Sequence, residues 1–402
     1  MTANWLRDGL LRHAAPRRVV TISALLVFTV VTLALLPVIG VIAAVAALLR
    51  DRRQRVLRFA AFLVVYLAAE WVGLACAAAL WVRSGFGRRM SEIEYQKANY
   101  ALLARMLGWL FETGERIFGL RILPPEGVGV PLPGERRLGR LLADRLWPGR
   151  RRPAAASTAP DLPSGPLLVF SRHGGPGDSF LLVHALLVHG QRTPRIVLKD
   201  TLAFNPLIDV ALSRVPHCFI KPNSDDGASA AAAISGLAAT MGPHDALVVF
   251  PEGGNFTVHR RARAIARLRR KGLRESVIRA QRLRHVLPPR PAGVFAAIDA
   301  APGASVVFVA HTGLDHMDSL GEMWRGVPLT EPVEVTWWNI PAGRVPAEES
   351  ARMRWLHDNW AEVDGWIDRH RLTPAPALPA AAPETAPDSV PAPLTAPKTV
   401  DP

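Results

Sequence analysis

Cysteine is nearly absent from this 402-residue chain, Cys76 and Cys218 being the only two. Cys76 lies in an apolar run, which excludes a disulfide framework or a thiolate metal site and suits a reducing compartment. Lysine is scarce too: only Lys97, Lys199, Lys221, Lys271 and Lys398 among 48 cationic side chains. Acids number 34, leaving a formal charge of +14. That surplus calls for an anionic partner: a membrane surface, a phosphorylated substrate or nucleic acid. No zinc-ligand cluster or basic zipper is present, so nucleic acid is not expected as a partner. There is no Gly-x-Ser-x-Gly elbow, no Walker loop and no paired-His metal spacing in the core. Ser171 is therefore not a hydrolase nucleophile, and neither metal nor cofactor is expected.

Charge is also missing locally. Residues 19–49 contain no ionisable side chain. As one helix they would measure roughly 46 Å, against a hydrocarbon core of about 30 Å. Pro37 and Gly40 offer a break, allowing a re-entrant hairpin. Residues 56–82 form a second apolar run, interrupted by Arg58 and Glu70. Arg58 can snorkel, whereas Glu70 must face protein, pair or stay protonated. Both runs have cationic flanks, so the positive-inside rule fixes no topology. We read 1–90 as a membrane anchor of one or two apolar helices or a hairpin.

Residues 91–165 read as an amphipathic helix over 91–120 followed by a Pro- and Arg-rich linker. Short apolar runs that suit buried strands then recur at 165–171, 195–199, 246–250, 305–310 and 333–338. Helical stretches fall between them at 179–189, 226–241 and 260–284, and a Trp-rich helix closes the domain at about 348–369. This alternation predicts an α/β domain over 166–372, with a mostly parallel central sheet flanked by helices. The Pro- and Ala-rich stretch 373–402 reads as a disordered tail.

Two loops carry chemistry. Ser171-Arg172-His173-Gly174-Gly175-Pro176-Gly177-Asp178 follows one strand and precedes a helix. If the glycines turn the chain back, Asp178 can hold one imidazole nitrogen of His173 and leave the other free as a base. The bland alternative is a glycine-rich turn with Asp178 capping the helix. Phe250-Pro251-Glu252-Gly253-Gly254-Asn255-Phe256-Thr257 follows another strand, and there the alternative is an ordinary β-turn. Lys199 and the Lys221 of Phe219-Ile220-Lys221-Pro222 stand where strand ends should gather, as phosphate-binding point charges would. The segment 260–284 holds eleven cations and one acid, Glu275. It is either a solvated face or a surface for anionic headgroups or the phosphates of a donor such as CoA.

His173 with Asp178, then Phe219-Ile220-Lys221, then Phe250-Pro251-Glu252-Gly253, in this order, resemble the glycerolipid acyltransferase family. That family includes the 1-acylglycerol-3-phosphate acyltransferases. Phe256-Thr257, Lys271-Gly272-Leu273, His285-Val286-Leu287-Pro288-Pro289-Arg290 and the Trp355–Trp360 segment resemble its lysophosphatidic acid and lysocardiolipin branch. Arg172, Lys221, Gly254-Asn255 and Ala310-His311 depart from the common pattern. The resemblance implies acyl transfer from acyl-CoA, as co-substrate, to a lysophospholipid hydroxyl. A glycolipid acceptor and a non-catalytic lipid-binding role are the alternatives. His173 would be the general base and Asp178 its orienter, with backbone N–H groups near Gly174–Gly177 as oxyanion candidates. Lys221, Glu252, Gly253, Gly254, Lys199 and Arg172 would hold substrate, with Glu252 orienting Lys221 or a hydroxyl. Membrane phospholipids would be partners, and the catalytic domain would face the cytoplasm.

Overall fold

The computed structural model describes residues 13–49, 54–123, 162–175, 177–220, 227–315 and 320–371. Lys221, most of the linker and the tail beyond 371 lie outside the described residues.

Seven strands form one sheet. They are β1 (Ile122–Leu123), β2 (Leu167–Ser171), β3 (Thr193–Lys199), β4 (His217–Ile220), β5 (Asp245–Val249), β6 (Ser305–His311) and β7 (Val333–Ile340). Their order across the sheet is β1-β7-β6-β2-β5-β3-β4. All neighbouring pairs are parallel except β6 with β7. The central strand β2 is buried along its whole length, as a strand covered on both faces must be.

Strand alternation divides the core. Leu168 and Phe170 of β2 point to one face, with Leu247, Val249 and Phe308. Three helices cover that face: α6 (Gly227–Ala239), α9 (Pro291–Ala300) and α11 (Glu349–His370). Trp360 of α11 is completely buried there. Leu167 and Val169 point to the other face, against Leu186 of α4 (Asp178–Val188). Farther along that side, Val183 of α4 meets Tyr100 and Leu107 of α3 (Ile93–Phe118). β2 and β5 run in parallel register, Phe170 beside Val249, so the loops after them leave the sheet at the same end. In open α/β sheets that end is where ligands bind.

The N-terminal helices are α1 (Ala14–Leu49) and α2 (Arg55–Arg83). Both are long and apolar enough to cross a membrane. The break offered at Pro37 and Gly40 is not used: α1 runs straight through Pro37. Pro removes one helix hydrogen bond, a loss that apolar helices can absorb locally. Nor does Arg58 snorkel, because its guanidinium bonds the carbonyl of Ile117 at the end of α3. Glu70 faces protein, as its cost in lipid requires. It accepts from the Asn205 side chain at 2.6 Å and from the Leu207 N–H at 3.2 Å, at the start of α5 (Pro206–Leu212). Arg17 and Arg18 of α1 pair with the buried Asp209 of α5 at 2.5 and 2.9 Å. The apolar helices are thus bolted by polar contacts to the segment that follows β3.

Glu70→Ala should leave the Asn205 amide and the Leu207 N–H without this partner, at about 1–3 kcal/mol for each group left buried and unpaired. The melting temperature in detergent should fall by several degrees, at roughly 2–4 °C per kcal/mol. An unchanged transition would show that this contact does not hold the helices to the domain.

Candidate active site

The loop after β2 turns back on itself, and two glycines make the turn possible. A Cβ on Gly174 would meet the Arg172 guanidinium carbon at 2.6 Å, and one on Gly175 would meet the Leu314 carbonyl oxygen at 2.5 Å. Gly177 adopts φ +90° just before α4, a conformation that favours glycine. The turn carries Asp178 back to His173, so that Asp178 Oδ2 lies 2.9 Å from His173 Nδ1. With the proton on Nδ1, the second ring nitrogen keeps its lone pair. The His173 side chain is 14% exposed, and its ring leans on Phe250 with centroids 4.7 Å apart.

Asp178 also receives the N–H groups of Gly174 and Gly175 at 2.9 and 3.3 Å. These two amides, which stood among the oxyanion candidates, are therefore occupied in holding the carboxylate. Burial alone would raise the pKa of Asp178. The bond and charge of His173, with help from His311 and the Gly175 N–H, outweigh it and leave the group below its ordinary value.

Glu252, expected to orient Lys221 or a hydroxyl, is 1% exposed, and both its oxygens are engaged by backbone amides. Its Oε1 accepts the His173 backbone N–H at 2.8 Å, and its Oε2 accepts that of Leu287 at 2.8 Å. A single carboxyl thereby fastens the His173 loop to the 285–290 segment. Burial raises Glu252 to about 8, against the opposing pull of Arg172 and of the two N–H bonds.

Arg172, expected among the substrate contacts, is also 1% exposed and lies behind the loop. It donates to the carbonyls of His311 and His285 at 2.7 and 3.3 Å and pairs with Asp315 at 2.5 Å. Burial would lift Asp315, but the Arg172 charge and bond pull it down to about 2. A fully buried guanidinium under Gly174 is a strut for the turn. His311, a departure from the family pattern, stands 3.6 Å from Asp178 Oδ2. Burial and the neighbouring Arg172 push it down to about 4, which keeps it neutral.

The cations gather around the glycine pair. A Cβ on Gly253 would touch the Arg290 guanidinium at 3.0 Å, and one on Gly254 would touch Arg260 at 3.2 Å. Lys199, at the end of β3, is half-buried. Its pKa is lowered first by burial and then by Arg260, with Asp178 opposing. Lys199, Gly253 and Gly254 therefore stand around the His173 loop, whereas Arg172 and Glu252 lie beneath it. No group of three or more His, Cys, Asp or Glu side chains among the described residues could hold a metal ion.

Sequence reading missed a support from the far end of the chain. Asp364 of α11 accepts the N–H groups of Arg284, His285 and Val286 at 3.0, 2.7 and 3.1 Å. Trp360 Nε1 donates to the Leu287 carbonyl at 2.9 Å. The 284–287 segment that receives Glu252 is thus held by the closing helix. The sequence marked that helix by its tryptophans and by the resemblance of its Trp355–Trp360 segment, not by this support.

The domain is thus a mostly parallel sheet flanked by helices, with a His–Asp pair at its strand ends. Residues 154–310 match the family model described as Acyltransferase. Residues 154–310 are thus an acyltransferase domain of the glycerolipid acyltransferase kind, which supports acyl transfer in lipid metabolism. No curated protein matches the chain.

The raised pKa of Glu252 sets a sign for stability. A proton held more tightly in the fold than in the unfolded chain stabilises fully below about pH 4.3. That stability is lost progressively as pH rises through about 8. Melts of wild type and Glu252→Gln from pH 5 to 8 should converge by roughly 1 kcal/mol per pH unit, because only wild type carries this loss. Parallel curves would mean that the carboxyl is already ionised in the fold near pH 5.

Proposed function

We propose that the protein moves a fatty acyl chain from acyl-CoA to the free hydroxyl of a lysophospholipid, 1-acyl-glycerol-3-phosphate first among them. The His173–Asp178 contact at 2.9 Å, with the imidazole partly open to solvent, carries this reading. His173 Nε2 takes the proton of the acceptor hydroxyl as its oxygen attacks the thioester carbonyl. The C–S bond of the tetrahedral intermediate then breaks, and the CoA thiolate leaves and recovers the proton from His173. Asp178 fixes the tautomer and stabilises the imidazolium. Glu252 and Arg172 are positioning residues that act through the loop.

The acceptor's phosphate meets Lys199 and Lys221. The field of Arg260 and Arg290 beside Gly253 and Gly254 supports an anion there. Residues 1–90 serve as a membrane anchor for a catalytic domain over 166–372. The catalytic domain lies on the cytoplasmic face, a placement that suits the low cysteine content and a CoA donor.

A panel of lysolipids with one radiolabelled acyl-CoA tests the reading. Wild type should form a diacyl product, and His173→Ala should lose about 10²–10⁴-fold in kcat in a folded, membrane-bound protein. Asp178→Asn should lose somewhat less. Near-normal turnover by His173→Ala would refute the mechanism, and no transfer to any acceptor by wild type would favour a lipid-binding role.

Lys221→Ala should raise KM for lysophosphatidate and leave the KM for acyl-CoA nearly alone. The loss in kcat/KM should be roughly 10- to 150-fold, as for a charge-assisted hydrogen bond. An uncharged monoacylglycerol should show no such penalty. Equal losses on both acceptors would make Lys221 structural.

A further inference from the structure

The cationic stretch 260–284 is a helical hairpin rather than one helix. The helices are α7 (Val258–Arg270) and α8 (Arg274–Arg282). They turn at Gly272, whose φ of +70° favours glycine. Thr257 caps α7, its hydroxyl accepting the Arg260 N–H at 3.1 Å. Each helix meets the domain along a thin stripe, Ile265 being the one buried residue of α7 and Ala280 that of α8.

The outward face is patterned. Arg260, Arg263, Arg267 and Arg270 recur at i, i+3, i+7 and i+10, a single stripe along α7. The stripe starts beside Gly254 at the site and ends at Lys271 and Arg274 on the tip. Among the described residues no carboxylate pairs with Arg263, Arg270, Lys271 or Arg274. Two large apolar side chains stand in this cationic field, Leu273 at 47% and Ile278 at 53% exposed. A solvated charged face has no use for an exposed Leu at its tip and an exposed Ile one turn along α8, whereas a helix seated on a bilayer does.

The hairpin's place in the fold agrees. It leaves from the C-terminal end of β5, while the segment gripping the N-terminal helices leaves from the same end of β3, its parallel neighbour. The Phe256 N–H bonds the His173 carbonyl at 2.9 Å, so the loop that launches the hairpin is fixed to the loop of the base.

We infer that α7–α8 is a second membrane contact, which lays its arginine stripe on anionic lipid headgroups and dips Leu273 and Ile278 into the interface. The apolar N-terminal helices would hold the protein on any bilayer, and the hairpin would make the engaged state depend on lipid charge. An anionic lipid bound along the stripe would lie on a path toward Gly254 and the site.

The test needs no turnover, so it stands or falls separately from the proposed reaction. In full-length protein with Cys76 and Cys218 replaced by Ser, Leu273→Cys is labelled with an environment-sensitive dye. The protein is reconstituted into vesicles of phosphatidylcholine alone or of phosphatidylcholine with phosphatidylglycerol. The dye should shift to the blue with phosphatidylglycerol and not without it, and high salt should reverse the shift.

Arg263→Gln, Arg270→Gln and Lys271→Gln together should abolish the shift while the protein stays in the vesicles. Each charge removed should weaken engagement by up to about fivefold. A dye that stays in a watery environment on anionic vesicles would overturn the proposal. An equal shift on both vesicle types would overturn it too, since contact would then owe nothing to charge. Weaker acyl-CoA binding by the triple variant, with the unsubstituted stripe's dye unshifted on anionic vesicles, would overturn the proposal and assign the stripe to the donor's phosphates.

Discussion

One buried carboxyl joins the parts of this domain that have to agree. Glu252 gives one oxygen to the amide of His173 and the other to the amide of Leu287. The first bond fixes the backbone of the residue that carries the imidazole. The second reaches a segment that Asp364 and Trp360 of the closing helix hold from behind. A buried polar group is tolerated only when its bonds are made, so the geometry of both loops is set by the same requirement. Arg172 repeats the device beneath the turn by tying it to the 311–315 segment. The result is a His173 loop whose position rests on bonds to three separate stretches of chain.

The same economy applies to the apolar helices. Glu70 and Asp209 are carboxylates buried where the helices meet the domain, and each takes its bonds from the opposite side of the junction. Such contacts fix orientation more than they add stability. They set the apolar helices against the segment leaving β3, at the sheet end where His173 lies. Under the proposed function, an acceptor in the bilayer plane would reach His173 from this end.

How much of this was legible in the sequence follows from what each feature depends on. Apolar runs of five to seven residues mark β2, β3, β5, β6 and β7, because a strand buried on both faces has little other option. The two-residue β1 carries no periodic signal and exists only through its pairing with β7. The segment 260–284 reads as one helix by charge pattern, yet Gly272 divides it. His173 with Asp178 was visible because the four residues between them, three of them glycine, suffice to bring the two together. The work of Glu252, Arg172 and Asp364 was hidden. Each bonds backbone groups distant in sequence, and backbone N–H and C=O groups leave no letter to match. Glu252 and Arg172 were therefore expected at the ligand and are found beneath it.

The central claim is that Glu252 serves the reaction through His173, and a double-mutant cycle tests it most directly. Acyl transfer would be measured for wild type, Glu252→Gln, His173→Ala and the double variant, each verified as folded and membrane-bound. If Glu252 acts by placing the base, its substitution should slow wild type and change His173→Ala little further, because no imidazole remains to be misplaced. Losses that simply multiply would contradict the account, showing that Glu252 and His173 act independently.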